Sequence, residues 1–151
     1  MIRVERLTHV TPADVTDLHR LLQMLSPGSG AVTDAHVKCV CETSTVHCFV
    51  ARSQLEGDRA RQPIVGTATL IVKPRTRGRT AELEDVVVDP LYRKRGVGNQ
   101  LMQAVIAAAR RSEVYHIDLT NGDTHADARP FYAELGFVPR DTKVFRLTLV
   151  A

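Results

Sequence analysis

The chain has 151 residues, of which 44% are hydrophobic and 25% charged, so the composition excludes a fibrous or disordered protein and predicts one globular domain over residues 1–151. Its apolar runs fall well short of the roughly 20 residues that a membrane span requires, and the N-terminus MIRVERLTHV carries charges where a secretory signal has an apolar core. The net charge of +3 comes without a recognisable nucleic-acid motif. We therefore predict a cytoplasmic protein that binds neither membranes nor nucleic acids.

Hydrophobic periodicity predicts an α+β domain with a mixed β-sheet of about seven strands, flanked by about four helices. Alternating, β-branched segments predict strands at residues 2–8, 46–51, 64–72, 80–88, 114–119, 137–138 and 144–150. Helical spacing and start signals predict helices at residues 11–25, 33–42, 98–111 and 127–135. The polar segments 52–63 and 73–79 predict turns between strands.

The three cysteines are Cys39, Cys41 and Cys48, an odd number that argues against a disulfide framework. The Cys39-x-Cys41 spacing differs from that of the usual zinc-binding pair, and no second pair follows. We predict no metal site and interpret the cysteines as small hydrophobic residues.

The sharpest motif is the segment DPLYRKRGVGN at residues 89–99, called here the phosphate turn, which leads directly into the amphipathic helix 98–111. Glycines let a backbone come close to a ligand, and the first amides of a helix lack internal partners at its positive end. Such a turn is typical of a pyrophosphate site, although by itself it fits a tight turn without a ligand equally well. The dinucleotide pattern would require glycine at Leu101, and the nucleotide-triphosphate loop is absent.

Three motifs together resemble the GNAT acetyltransferase superfamily. Arg93-x-x-Gly96-x-Gly98 matches its Q/R-x-x-G-x-G/A motif, while LEDVVVDP at 83–90 and FYAELGF at 131–137 are similar to its other two elements. The resemblance implies a splayed sheet and acetyl-CoA as cosubstrate. It implies that pantetheine contacts the backbone of Val86, Val87 and Val88. The implied pyrophosphate contacts are Arg93, Lys94, Arg95, Gly96, Val97, Gly98 and Asn99.

Acetyl transfer to an amine requires a base for the amine proton and an acid for the departing thiolate. Glu84 and Asp85 are the candidate bases, and on a regular strand they face opposite sides. A bulge could change which of them enters the cleft. Glu84-Asp85 before an apolar run resembles the E-D-x-x-V stretch of glucosamine-phosphate N-acetyltransferases, which favours Glu84 as the base and leaves Asp85 to bind substrate. A solvated or ion-paired carboxylate is the alternative interpretation.

Tyr132 matches the tyrosine of the superfamily's F-Y-x-x-x-G-F stretch and is the candidate acid, with a buried aromatic as its alternative. His125 stands where many members have an asparagine, so that cofactor contact is not carried over. Arg129 is a candidate to bind an anionic acceptor, and a solvated arginine is its alternative.

The resemblance implies an enzyme that acetylates a primary amine of a small molecule, and dimerisation is a family expectation. Two other functions stay open from the sequence. One is a catalytically silent CoA-binding sensor. The other is a Rossmann-type nucleotide-binding protein.

Overall fold

The computed structural model describes residues 1–54 and 61–150 and divides into two compact units, Met1–Leu119 and Thr120–Ala151. In chain order its elements are β1 (Ile2–Arg6), α1 (Pro12–Leu25), α2 (Asp34–Glu42), β2 (Val46–Ser53), β3 (Ile64–Arg75), β4 (Gly78–Val88), α3 (Val97–Arg111), β5 (Val114–Asp118) and α4 (Arg129–Glu134), with 3₁₀ turns at Pro90–Tyr92 and Asp123–Ala128. None of the helices in this part of the chain has the length and apolarity needed to cross a bilayer.

The first unit contains a five-stranded sheet in the order β1-β2-β3-β4-β5. The first four strands are antiparallel neighbours, whereas β4 and β5 run parallel and are joined by α3. A parallel pair needs such a crossover because the chain must return to the starting edge of the sheet. The predicted α+β class, mixed sheet and four helices are confirmed.

Local chemistry explains where the first two helices begin. Thr11 caps α1 through a reciprocal capping box with Asp14, and Pro12 occupies its first turn. Thr33 caps α2 by accepting a hydrogen bond from the amide of His36. Each threonine hydroxyl satisfies an amide that the helix itself leaves without a partner.

The sheet lies between α1 and α2 on one face and α3 on the other. The first face buries one apolar cluster, made of Leu7, Leu18, Leu21, Val37, Cys48, Val50, Ile64 and Val87. On the opposite face, the Cα of Gly66 comes close to α3: a Cβ added there would lie 3.1 Å from Cδ1 of Leu101 and 3.4 Å from Cγ1 of Val97. Glycine at this position therefore lets α3 sit against the strand.

The hairpin between β3 and β4 is longer than predicted. Its strands pair as far as Arg75 and Gly78, so the turn predicted at 73–79 shrinks to residues 76–77. A cross-strand ion pair between Lys73 and Glu82 stabilises this extension. The turn predicted at 52–63 lies partly outside the described residues.

The second unit contains α4, with Pro130 in its first turn and Gly136 ending it at φ 96°. The two strands predicted at 137–138 and 144–150 are wrong: the described residues contain five strands, and these segments are not among them. They have strand-like composition, but a strand also needs a neighbour for its backbone hydrogen bonds. Their large apolar side chains are exposed at Val138, Val144, Phe145, Leu147, Leu149 and Val150.

Candidate active site

A β-bulge interrupts β4 at the two carboxylates proposed from the sequence. Thr69 of β3 pairs with Glu84, and Thr67 pairs with Val87, so two residues of β4 stand opposite one residue of β3. Asp85 has a φ of 54°, a left-handed conformation that is uncommon for a residue other than glycine. The alternation expected of a regular strand therefore does not apply here.

The consecutive residues Glu84 and Asp85 place two carboxylates at this bulge. The pKa of Glu84 is raised by burial, and further by the negative charges of Asp85 and Glu82, against the opposing effect of Lys73. Burial also raises the pKa of Asp85. Both side chains stay accessible to solvent. A carboxylate with a raised pKa is a better proton acceptor near neutral pH than an ordinary glutamate.

One edge of β4 is open beside the bulge. Pairing with β5 runs from Arg79–Val114 to Glu82–Asp118, whereas β4 itself continues to Val88. In the described residues, the part of β4 beyond Glu82 thus has no partner from β5, and its backbone groups on that side are available to an extended ligand. The carbonyl of Val88 accepts a hydrogen bond from Nε of Arg93 at 3.0 Å.

The phosphate turn leads from this edge to α3. Asp89 caps the 3₁₀ turn Pro90–Tyr92 by accepting from the amide of Leu91 at 2.9 Å. Gly96, at φ 79°, is the residue that precedes the helix, and its carbonyl accepts the first intrahelical hydrogen bond from the amide of Gln100. Lys94, at φ 60°, is a second left-handed position. The path through residues 89–96, with its two left-handed positions, connects the end of β4 to the start of α3.

The N-terminus of α3 differs from those of α1 and α2. No side chain caps it within the described residues, whereas threonine caps the other two. Its first amides therefore have no partner inside the helix or from a cap, at the end where the helix dipole is positive. A Cβ added to Gly96 would meet no atom within 4 Å, so the space beside Gly96 is open. This arrangement can bind an anion such as a pyrophosphate.

The basic side chains of the phosphate turn are partly engaged with the protein. Arg93 is tied to the end of β4, and the guanidinium of Arg95 stands over the ring of Tyr92, 5.6 Å from its centroid. The structure thus brings together the predicted cofactor residues 86–88 and 93–99 in the first unit, at the end of β4 and the start of α3.

Sequence reasoning missed an ion pair at this turn. Nη1 of Arg20, on α1, lies 2.7 Å from Oδ2 of Asp89. The two residues are 69 positions apart, and in the sequence Arg20 fits the pattern of an ordinary polar residue on an amphipathic helix. No local sequence signal connects them.

Tyr132 belongs to α4 in the second unit. Its ring contacts those of Phe131 and Phe137, at centroid distances of 5.3 and 5.7 Å. Burial raises the pKa of its phenol, so the hydroxyl carries its proton at neutral pH. Tyr132 is thus a packed aromatic residue, and its role as the acid for the thiolate stays a prediction.

Arg129 makes its contacts within the second unit. Its Nε donates to Oδ1 of Asn121 at 2.8 Å, and its Nη2 donates to Oδ1 of Asp123 at 3.0 Å. Asn121 in turn donates to the carbonyl of His125 at 2.9 Å. These bonds organise the loop before α4, and they occupy part of the guanidinium that the sequence assigned to an anionic acceptor.

The cysteines are free, with Cys48 buried, Cys41 partly buried and Cys39 exposed. Burial raises the pKa of the Cys48 thiol, which keeps it protonated and unreactive. Among the residues that the structure describes, no group of three or more histidine, cysteine or carboxylate side chains is placed to hold a metal ion.

Comparison with known proteins identifies the family. Residues 16–137 match the model of the acetyltransferase (GNAT) family. The chain belongs to this family. Acetyltransferases of the GNAT family generally use acetyl-CoA, and the predicted resemblance is thus confirmed.

Two relatives and one more distantly related structure illustrate how similar this chain is to known acetyltransferases. Glucosamine 6-phosphate N-acetyltransferase of Trypanosoma brucei brucei is 42% identical over 77 residues, which are 49% of this chain and 50% of that protein. A solved acetyltransferase of Trypanosoma brucei is 27% identical with a TM-score of 0.75, covering 99% of this chain and all (100%) of that one. An aminoglycoside acetyltransferase from a soil metagenomic sample shares the fold, with a TM-score of 0.81, 20% identity and coverage of 99% and 97%.

The chain spans about half the length of the curated relatives it matches, 50% and 49% of the two named glucosamine 6-phosphate N-acetyltransferases. One curated relative is named for an amino-sugar phosphate, and a structure that shares the fold is named for an aminoglycoside. Membership of the GNAT family therefore defines the type of reaction more closely than the acceptor.

Proposed function

We propose that this GNAT protein transfers an acetyl group from acetyl-CoA to a primary amine of a small molecule by direct attack on the thioester. The observation that carries the proposal is the uncapped, glycine-initiated start of α3 immediately after the open edge of β4. This segment offers free helix amides and an unpaired strand edge. The first suits a pyrophosphate, and the second suits the amide-containing pantetheine arm.

Residues of the first unit would hold acetyl-CoA, which supplies the acetyl group as a thioester when bound. The amides around Gly96, Val97, Gly98 and Asn99 would bind the pyrophosphate, and Lys94 and Arg95 would add positive charge beside it. The backbone of residues 86–88 lines the arm. Arg93 braces the turn through the Val88 carbonyl and keeps its outer nitrogens for a phosphate oxygen.

Protons are handled by two side chains in this proposal. Glu84 accepts the proton that the attacking amine loses, directly or through water, and its raised pKa suits that task. A backbone amide near Val87 or Val88 stabilises the oxyanion. As the carbon–sulfur bond breaks, Tyr132 donates its proton to the departing thiolate. Counted from the neutral amine, one proton leaves the nitrogen and one reaches the sulfur, so the step balances; an acceptor bound as an ammonium ion first releases its extra proton to water.

For the acceptor, we propose only its chemical class, a small molecule with a primary amine. Asp85 lies beside Glu84 and carries negative charge suited to an ammonium group before it is deprotonated. A sugar phosphate is the finer proposal, supported by the names of the curated relatives and by Arg129. Those names also favour an enzyme over the sensor alternative. A cytoplasmic location and a homodimer remain predictions, the second to be checked by light scattering.

The test combines binding with turnover. Acetyl-CoA should raise the melting temperature, and thiol release should appear with at least one member of an amine panel that includes glucosamine 6-phosphate, glucosamine, polyamines and aminoglycosides. Stabilisation without turnover by any amine would favour the sensor. Stabilisation by NAD with none by CoA would contradict both.

A further inference from the structure

Asp89 is the residue at which β4 ends and the phosphate turn begins, and it is held on three sides. Its backbone amide donates to the carbonyl of Val65 at 2.8 Å. Its Oδ1 accepts from the amide of Leu91, and its Oδ2 accepts from Nη1 of Arg20 at 2.7 Å. The carboxylate side chain is 11% exposed. A buried carboxylate of this kind needs its partners, because leaving it unpaired is costly.

Arg20 is the one of these partners that comes from outside the sheet and the turn. It projects from α1, and its Nη2 also donates to the carbonyl of Ile64 at 3.4 Å. One guanidinium thus joins α1, the first residue of β3 and the residue after β4. Charge-assisted hydrogen bonds from a planar guanidinium fix direction as well as distance.

The ion pair between Arg20 and Asp89 affects the residues that follow Asp89 in the phosphate turn. The carboxylate that Arg20 holds is also the cap of the Pro90–Tyr92 turn, which leads in four residues to the left-handed Gly96 and the free amides of α3. A shift of Asp89 therefore moves the start of the phosphate turn relative to β4. The spacing between the strand edge and the helix amides is what must match the arm and pyrophosphate of a single ligand.

We propose that Arg20 is a positioning residue for the cofactor: through Asp89 it sets the place of the phosphate turn and thereby the affinity for acetyl-CoA. It does not touch the reacting atoms. The inference rests on the proposed function, because it requires acetyl-CoA to bind at this turn.

A second arginine offers a matched control for loss of an ion pair. Arg52 on β2 donates to Glu5 at 2.6 Å and to Asp14 at 2.8 Å, with 13% of its side chain exposed. It also ties α1 to the sheet, but from β2, which lies two strand spacings of about 5 Å each from β4. Loss of Arg52 should lower stability at least as much as loss of Arg20, without reaching the phosphate turn.

The experiment measures CoA affinity by calorimetry, and kcat and KM for acetyl-CoA, in Arg20→Gln, Arg20→Lys and Arg52→Gln. We expect Arg20→Gln to raise Kd and KM about tenfold, the size of one charge-assisted contact, with kcat within about twofold of wild type. Arg20→Lys, which keeps the charge but not the planar fork, should recover part of the loss. Arg52→Gln should lower the melting temperature and leave Kd unchanged.

Asp89→Asn tests the same link from the other side. If Arg20 acts through Asp89, the double variant Arg20→Gln/Asp89→Asn should bind CoA no more weakly than the weaker single variant. Unchanged Kd in both Arg20→Gln and Arg20→Lys would overturn the inference, as would an equal loss of affinity in Arg52→Gln. Wild-type protein that binds no CoA would overturn the proposed function itself, so the two failures are distinguishable.

Discussion

Substitution of Gly96 by valine is the most direct test of the phosphate turn. Gly96 has a φ of 79°, and a Cβ added there meets no atom within 4 Å. A side chain at position 96 therefore meets no steric clash, and the loss of stability comes from the left-handed backbone conformation. That cost is about 1–2 kcal/mol for an L-residue, and β-branched residues are the least tolerant of it.

Gly28 provides the matched control. It has a φ of 83° in the connection between α1 and α2, and its added Cβ likewise meets nothing within 4 Å. Gly28→Val and Gly96→Val should therefore lose similar stability. At about 2–4 °C per kcal/mol for a chain of this size, each melting temperature should fall by about 2–8 °C.

The two variants should differ in cofactor binding. At position 96 the valine side chain enters the open space beside this residue, and the backbone is driven away from the conformation that starts α3. We expect Gly96→Val to weaken CoA binding by tenfold or more, equivalent to about 1.4 kcal/mol, and Gly28→Val to leave it unchanged. Calorimetric titration with CoA alongside thermal melting measures both effects. Wild-type affinity in Gly96→Val would refute the phosphate turn as the pyrophosphate site.

Three further substitutions test the chemistry and the packing. Tyr132→Phe should lower kcat by about 10²-fold while Kd for CoA stays the same, and unaltered turnover would remove Tyr132 from the reaction. Because the pKa of Glu84 is raised, kcat/KM should fall with decreasing pH at a pH above the pKa of an ordinary glutamate. Glu84→Gln should abolish this fall at acid pH and lower the rate. A pH profile that the substitution leaves unchanged would exclude Glu84 as the base. Gly66→Val should destabilise the protein by about 1–3 kcal/mol in denaturant titrations, because the added Cβ would lie 3.1 Å from Cδ1 of the buried Leu101. Equal stability would show that α3 has room to shift.

Features governed by local chemistry could be predicted from the sequence. The starts of α1 and α2 follow from Thr11 and Thr33, the end of α4 from Gly136, and the phosphate turn from glycines placed before an amphipathic helix. In each case the deciding interactions lie within a few residues, so their pattern is visible in the chain itself.

Strand pairing was less predictable because it depends on distant partners. The segment 144–150 has the composition of a strand, yet in the described residues it joins no sheet. The sequence left undecided whether a bulge occurs near Asp85. The bulge arises because the register between β3 and β4 leaves an extra residue on β4.

The sequence by itself determined the phosphate turn, the helix that follows it and, through three short motifs, the family. Only the tertiary structure decided that β5 leaves the end of β4 open, that a bulge breaks the alternation of β4 at Asp85, and that Arg20 reaches Asp89. The physical reason is the sequence separation of the interacting groups. Helix caps and glycine conformations depend on residues within about one helical turn, whereas the ion pair and the open edge involve elements that are distant in the sequence and meet only on folding. The residues of the proposed cofactor site can therefore be recognised in the sequence, whereas the contacts that support them cannot.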